Sequence, residues 1–127
     1  MASAASDLLG AGLSSLGLDP CHKPALVEYL DLLQKWNKPF NLTAVRSKRE
    51  MVIKHLLDSL SVMPNLELVR RVCDVGTGAG LPGIPLAIYL PDTHFVLLDS
   101  NGKKTRFLQQ VANQLDLKNI EVVQDRV

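Results

Sequence analysis

The chain has 127 residues, of which 46% are hydrophobic and 21% are charged, and its formal net charge is +1. This size and composition predict one ordinary folded domain, or one domain with part of another. The sequence has no apolar run of transmembrane length and no signal peptide at its start, and Cys21 and Cys73 do not form a disulfide framework. These observations exclude membrane-spanning and disulfide-scaffold proteins. We expect a cytoplasmic protein in which Cys73 is a small buried apolar residue.

Helical patterns occupy the first half of the chain. A short helix is predicted over residues 7–16. A second helix begins at Asp19 and Pro20, which have the residue types of an N-cap and a first helical position, and it ends at Pro39. A capping box over residues 47–50 begins a third helix that extends to about residue 61. The sequence therefore predicts an N-terminal helical region over residues 1–67.

Strand and helix patterns alternate in the second half. The predicted order is strand, helix, strand, helix, strand, over residues 71–75, 83–90, 95–99, 103–115 and 120–123. This order is typical of parallel sheets with crossover helices, so the predicted fold class is α/β, with the sheet over residues 68–127. Three strands amount to only the first half of such a sheet. We therefore expect the chain to be a fragment of a longer protein, or truncated relative to one.

A glycine-rich segment joins the first predicted strand to the next helix. Asp74 precedes Gly76, Gly78 and Gly80, which form a G-x-G-x-G pattern. This pattern is the form used by S-adenosylmethionine-dependent methyltransferases with a Rossmann-like sheet, although the G-x-G-x-x-G ending at Gly83 also fits dinucleotide binding. The acid favours the first interpretation, because a carboxylate would repel a pyrophosphate. We predict that Asp74 and these three glycines bind S-adenosyl-L-methionine.

A second acid follows the second predicted strand. Asp99 lies about twenty residues beyond the glycine loop, where a carboxylate is placed to accept hydrogen bonds from ribose hydroxyls. Both S-adenosylmethionine and NAD contain a ribose, so Asp99 supports a nucleoside ligand without choosing between them. The residues after Asp99 also have the composition of a turn, and Asp99 can both begin this turn and bind a ribose.

Basic residues gather in two places although the net charge is small. Arg46 belongs to a group between the second and third helices, and Lys103, Lys104 and Arg106 begin the helix after Asp99. Cations in the first turn oppose the helix dipole, which suggests a use such as contact with RNA phosphates; a solvated surface is the alternative. The histidines are scattered, and no cluster has the spacing of metal ligands, so no metal site is expected.

Several stretches give a wider resemblance, in the same order along nearly the whole chain. They cover residues 36–46, 55–60, 74–85, 98–104 and 119–123. Together they resemble the bacterial small-subunit rRNA guanine-N7 methyltransferases, a family also called glucose-inhibited division protein B. The resemblance implies transfer of a methyl group from S-adenosylmethionine to N7 of one guanine in the 16S rRNA of the small ribosomal subunit. It also implies cofactor contacts at Gly76, Leu81 and Val127.

Two other functions remain open at this point. One is a NAD-type oxidoreductase on a Rossmann sheet, and the other is a non-catalytic rRNA-binding or assembly factor with the same fold. No catalytic residue is nominated, because N7 of guanine already carries a lone pair. His55 and Asp58 lie one helical turn apart, but a hydrogen bond on the helix surface or between regions is as good an interpretation as a catalytic pair.

Overall fold

The computed structural model describes residues 4–66 and 68–126. The first part of the chain is helical. Helix α1 spans Ala4–Ser15, a 3-10 turn follows at Pro20–His22, and α2 spans Lys23–Phe40. Helix α3 covers residues 48–60 in three contiguous pieces, which are a helical turn at Lys48–Glu50, a π-helical stretch at Met51–Leu57 and a last α-helical turn at Asp58–Leu60. A second 3-10 turn lies at Met63–Leu66.

The second part forms a parallel sheet with crossover helices. Its elements are β1 (Arg71–Val75), α4 (Gly83–Tyr89), β2 (His94–Asp99), α5 (Gly102–Gln114) and β3 (Ile120–Gln124). The strand order is β1-β2-β3, and both strand pairs are parallel. The predicted α/β fold class and the order of these five elements are confirmed, with each end within one residue of its prediction. The architecture is a Rossmann-like partial sheet preceded by helices.

The helix ends differ from the predictions where local hydrogen bonding decides them. Helix α1 begins three residues earlier than predicted, and the Asp19 side chain caps the 3-10 turn, so that α2 itself begins at Lys23. Pro39 lies inside α2 and does not end it. The helix closes only after Phe40, where Asn41 adopts a left-handed conformation and donates its N–H to the Asn37 carbonyl.

The π-helical stretch of α3 was not foreseen, although the capping box at its start is confirmed. The Ser47 hydroxyl accepts the Glu50 N–H at 3.1 Å. Helix α1 approaches the end of the π-helical stretch closely: a Cβ on Gly12 would come within 2.4 Å of Leu57 Cδ1. A side chain at position 12 would therefore force the two helices apart.

One hydrophobic core joins the helical region to the sheet. Helix α2 runs antiparallel to α5. Near the start of α2, Glu28 accepts a hydrogen bond from Gln114 at the end of α5. At the end of α2, the Phe40 ring lies under the ammonium of Lys103, which is at the start of α5. Between these points an aromatic row links the helices, with ring centroids 5.5–6.3 Å apart, formed by Tyr29, Phe107, Trp36 and Phe40. Helix α2 thus covers α5, and α4 and α5 cover one face of the sheet.

The other face of the sheet is more open in the part of the chain that the structure describes. In β2, Phe95 and Leu97 are buried against the helices, whereas Val96 on the opposite face is half-buried. Cys73 pairs with Val96 in the register, so its side chain shares that open face. The expectation of a buried Cys73 is wrong: it is exposed, because it also lies on the edge strand β1. No helix within residues 4–66 and 68–126 has the length and apolar character needed to cross a bilayer.

Replacement of Asn119 by alanine should lower the free energy of unfolding by about 1–3 kcal/mol. The Asn119 amide nitrogen lies 2.9–3.1 Å from the carbonyl oxygens of Ala87, Leu90 and Thr93, which the substitution would leave without this donor. Urea unfolding provides the measurement. Asn113→Ala on the exposed face of α5 is the control, with an expected change within about 0.5 kcal/mol. Equal effects of the two substitutions would contradict this account.

Candidate functional site

The loop between β1 and α4, residues 76–82, is held by a carboxylate at the end of β1. Asp74 Oδ2 accepts the Thr77 hydroxyl at 2.7 Å and the N–H of Gly83, the first residue of α4, at 3.0 Å. Burial raises the pKa of Asp74, and the charge of Asp99 adds to this, while the two donated hydrogen bonds act in the opposite direction. Asp74 therefore orders the loop, while its contact with a cofactor stays a prediction.

A second carboxylate holds the middle of the same loop. Asp99 at the end of β2 is only 7% exposed. Its Oδ2 accepts the Gly78 N–H at 2.9 Å, and its Oδ1 accepts the Asn101 N–H at 2.9 Å. The ends of two neighbouring strands thus contribute one carboxylate each to a single loop. A role of Asp99 toward a ribose stays a prediction.

The loop glycines fall into two structural classes. Gly76 and Gly78 have φ values of 70° and 61°, and a Cβ on either would have no neighbour within 4 Å. Gly80 is buried, and a Cβ there would lie 2.4 Å from Ile84 Cγ1 and 2.8 Å from Leu108 Cδ2. The first two glycines therefore present bare backbone to open space where a ligand can approach, whereas Gly80 allows the loop to pack against α4 and α5.

The loop N–H groups are directed into the protein. Gly76 and Thr77 both donate to the Leu98 carbonyl, at 2.8 and 3.1 Å, and Gly78 donates to Asp99. Gly80 donates to the Thr77 carbonyl at 3.0 Å. A loop that binds a pyrophosphate instead offers its N–H groups to the ligand. With these donors engaged and two carboxylates adjacent, the site favours a ligand that brings cationic or hydroxyl donors.

The helical region supports the loop through a contact that sequence reasoning missed. The Tyr29 hydroxyl in α2 donates to the Ala79 carbonyl at 2.7 Å, and the Tyr29 side chain is 0% exposed. Burial raises the pKa of Tyr29, so its hydroxyl stays protonated and remains a donor. Helical periodicity places Tyr29 on the buried face of α2 but does not name its partner; a tyrosine hydroxyl in a fully buried position is the available signal that a polar partner exists.

The two remaining predicted cofactor contacts are less defined. Leu81 is half-buried and packs against the hydrophobic core, and the Leu81–Pro82 peptide bond is cis. Val127 lies outside the described residues. The contacts of both residues with a cofactor stay predictions.

Arg46 stabilises the segment between α2 and α3. Its Nη1 donates to the Asn37 carbonyl at 3.1 Å, and its Nη2 donates to Asn41 Oδ1. The buried Asn37 amide completes the arrangement, since it accepts the Thr43 N–H at 2.8 Å and donates to the Val45 carbonyl at 3.3 Å. Ordering of this segment is thus visible in the structure, while RNA contact by Arg46 stays a prediction.

His55 pairs with Thr43, not with Asp58. Its Nε2 lies 2.8 Å from Thr43 Oγ1, so the contact joins α3 to the segment after α2. Burial lowers the pKa of His55. This geometry fits the structural interpretation of His55 as a hydrogen-bonding residue between two regions.

The basic cluster of α5 lies at the same sheet edge as the loop. The Asn101 side chain, two residues beyond Asp99, accepts the N–H groups of Lys103 and Lys104 and caps the helix. The Lys103 ammonium lies 5.8 Å from the centroid of the Phe40 ring, and Arg106 Nε donates to the Gly102 carbonyl at 3.3 Å. Among the described residues, no group of three or more His, Cys, Asp or Glu side chains could hold a metal ion.

Comparisons with known proteins give a consistent result. The family model described as GidB, rRNA small subunit methyltransferase G, matches residues 22–127. Curated proteins named Ribosomal RNA small subunit methyltransferase G from Salmonella paratyphi B, Salmonella newport and Salmonella typhimurium are each 57% identical over 120 residues. The match covers 94% of this chain and 56% of each relative, so the chain spans little more than half the length of these relatives.

Tyr29→Phe should lower the free energy of unfolding by about 0.5–1.5 kcal/mol and increase hydrogen exchange of the loop amides, because the Ala79 carbonyl loses its donor. Denaturant unfolding and exchange measured at Gly78 and Gly80 are the two readouts. Tyr89→Phe is the matched control, since the Tyr89 hydroxyl donates to the Asp19 carbonyl at 2.9 Å, away from the loop. Loop exchange that is unchanged in Tyr29→Phe would contradict the supporting role.

The contribution of His55 to stability should depend on pH. Because its pKa is lowered in the folded state, the unfolded chain binds a proton more readily, and stability is lost as the pH falls below about 6.5 toward the lowered value. At pH 7.5 the contribution is fully present. Free energies of unfolding at pH 7.5 and 5.5 test this, and His55→Gln should reduce the decrease. An identical decrease in the variant would assign the pH dependence to other groups.

Proposed function

The chain belongs to the GidB family, rRNA small subunit methyltransferase G, and on this basis we propose that it transfers a methyl group from S-adenosyl-L-methionine to N7 of a guanine in 16S rRNA. The small ribosomal subunit, or its RNA, is then the partner, and the cytoplasm is the location. The observation that carries the proposal is the loop after β1, where open glycine backbone lies beside two strand-end carboxylates.

The chemistry of the loop fits S-adenosylmethionine better than NAD. The Gly76 and Gly78 backbone leaves space that a Cβ would enter. The Asp74 and Asp99 carboxylates already accept bonds from the protein, but a carboxylate oxygen has a further lone pair with which it can accept from an amino group or a ribose hydroxyl. A dinucleotide would bring a pyrophosphate toward the same carboxylates and toward N–H groups that already have acceptors. We assign cofactor contact to Asp74, Gly76, Gly78 and Asp99. Gly80 shapes the loop from its buried position, and the cofactor contacts of Leu81 and Val127 remain part of the proposal through the family resemblance.

The reaction asks for positioning more than for acid–base catalysis. When bound, S-adenosylmethionine supplies a methyl group that its sulfonium already activates. N7 of guanine carries a free lone pair at neutral pH, so no residue has to remove a proton. The task of the chain is then to hold the two reactants in line, and a loop fixed by Asp74, Asp99 and Tyr29 is suited to this because it changes little on binding.

The basic residues supply the contact with the RNA backbone in this proposal. Lys103, Lys104 and Arg106 begin α5 directly beyond Asp99, so phosphates bound there lie beside the cofactor loop. Arg46 orders the segment after α2 and has further guanidinium N–H groups to offer a phosphate. Substitution of these residues is expected to weaken RNA binding with little dependence on sequence.

Calorimetric titration of this chain with S-adenosylmethionine, with NAD as the comparison, tests the cofactor. Selective binding of S-adenosylmethionine is expected, and selective binding of NAD would overturn the assignment. Incubation with small-subunit rRNA and methyl-labelled cofactor, followed by nucleoside analysis, tests the reaction. The expected product is 7-methylguanosine. RNA binding that is indifferent to the cofactor and yields no methylated base would instead indicate a non-catalytic rRNA-binding factor.

Gly78→Ala should weaken S-adenosylmethionine binding by at least tenfold, because its Cβ occupies the space where the backbone meets the ligand. Gly17→Ala is a matched control: Gly17 has a φ of 70°, and a Cβ there also has no neighbour within 4 Å. Both variants carry a backbone strain of about 1–2 kcal/mol, but only Gly78→Ala should affect binding. Equal affinities of the two variants for S-adenosylmethionine would contradict the assignment of the loop as the cofactor site.

A further inference from the structure

We propose that the groove between α2 and α5 binds a single-stranded segment of the RNA substrate and stacks one of its bases against Trp36 and Phe40. The inference rests on the proposed function for the identity of the ligand as RNA. It adds a second contact region, separate from the cofactor loop, that would orient the substrate along the outer helical layer.

The groove follows from the antiparallel packing of the two helices. It has a volume of about 420 Å³ and is lined on the α2 side by Lys35, Trp36 and Phe40, and on the α5 side by Gln110 and Gln114. Phe40 is 38% exposed although it belongs to the aromatic row between the helices. An aromatic surface that reaches solvent at the end of a row of packed rings is therefore available to a ligand.

The chemistry of the lining matches an unpaired nucleotide. Bases stack on aromatic side chains in most sites for single-stranded nucleic acid. Gln110 donates to Gln114 at 3.3 Å and Gln114 donates to Glu28, and these amides can exchange such bonds for hydrogen bonds with a base edge, to which an amide both donates and accepts. Trp36 and Phe40 lie with ring centroids 5.5 Å apart and ring planes tilted by 41°, so two neighbouring rings and not an isolated one line the groove. An apolar peptide would find fewer partners for the amides.

The charges around the groove are also suited to RNA. Lys35 is in the lining, and the Lys103 ammonium lies 5.8 Å from the Phe40 ring at the end of the groove. Of the described residues that line the groove, none is acidic. Glu28 marks the far end, where its carboxylate accepts a hydrogen bond from Gln114 at 3.1 Å. Cations therefore lie along the part of the groove that contains the aromatic pair.

The position of the groove connects it to the candidate active site. Lys103 is in the first turn of α5, whose cap residue Asn101 is held by Asp99. Asp99 in turn holds Gly78 of the cofactor loop. The Phe40 end of the groove thus lies next to the sheet edge where the methyl group would be transferred. One RNA strand can pass from the stacking surface to that edge across Lys103.

Trp36 is the only tryptophan in the chain, so its fluorescence reports on the groove directly. The experiment titrates this chain with a fluorescein-labelled single-stranded oligoribonucleotide of mixed sequence, follows Trp36 emission, and measures binding independently by anisotropy of the label. A duplex of the same sequence is the nucleic acid control, because its bases are already stacked. Phe40→Ala, Lys35→Gln and Lys103→Gln are the test variants. Their matched controls are Leu16→Ala, which removes a side chain 40% exposed elsewhere, and Lys118→Gln.

The expected result is saturable quenching of Trp36 by the single strand and weaker quenching by the duplex. Phe40→Ala should weaken single-strand binding about 5- to 100-fold, as loss of a stacking partner does, and each lysine variant should reduce the salt dependence. The two controls should bind as the unaltered chain does. If anisotropy shows RNA binding but Trp36 is not quenched, RNA does not bind in the groove, and this proposal is overturned while the proposed function stays intact.

Two other outcomes would also overturn the proposal. A Trp36 emission shift that depends on protein concentration in the absence of RNA would mean that a second copy of the chain covers the groove. Equal binding by Phe40→Ala and Leu16→Ala would mean that RNA is held by charge alone. Failure of the proposed function is separate from these results, because it shows as loss of S-adenosylmethionine binding or of base methylation.

Discussion

The bonds accepted by one carboxylate, that of Asp74, are the constraint on which the candidate site depends. This side chain ends β1, accepts the Thr77 hydroxyl and accepts the first N–H of α4, so one group fixes the strand, the loop and the helix relative to one another. A carboxylate half-removed from water costs free energy, which its raised pKa reflects. The two hydrogen bonds that hold the loop offset part of this cost, so a partly desolvated carboxylate lies at the candidate site.

The helical region supports this loop from behind and extends it on one side. Tyr29 reaches the Ala79 carbonyl from the middle of α2, and the aromatic row continues from Tyr29 through Phe107 and Trp36 to Phe40. The same helix therefore stabilises the cofactor loop and forms one wall of the proposed RNA groove. Positioning of both reactants would depend on a single rigid element, in keeping with a reaction that needs alignment more than acid–base groups.

The sequence predicts the order of the elements well, because short strands rich in valine, leucine and isoleucine that alternate with helical patterns and polar turns have few alternative interpretations. It also identifies Asp74 and the glycine loop, because their spacing falls between a predicted strand and a predicted helix. It does not distinguish Gly78, which faces open space, from Gly80, which packs against side chains distant in sequence. The Tyr29 contact and the exposure of Cys73 also depend on tertiary neighbours, which periodicity does not encode.

The contact between Tyr29 and Ala79 spans 50 residues of chain, which has a consequence for folding during synthesis. The ribosome releases α2 long before it releases the glycine loop, whereas a domain generally folds as a unit. Because one hydrophobic core joins the helical layer to the sheet, the loop is fixed against Tyr29 only after a long chain closure that brings both parts together. For a protein proposed to modify ribosomal RNA, the order in which its own chain leaves the ribosome would decide when its binding site is complete.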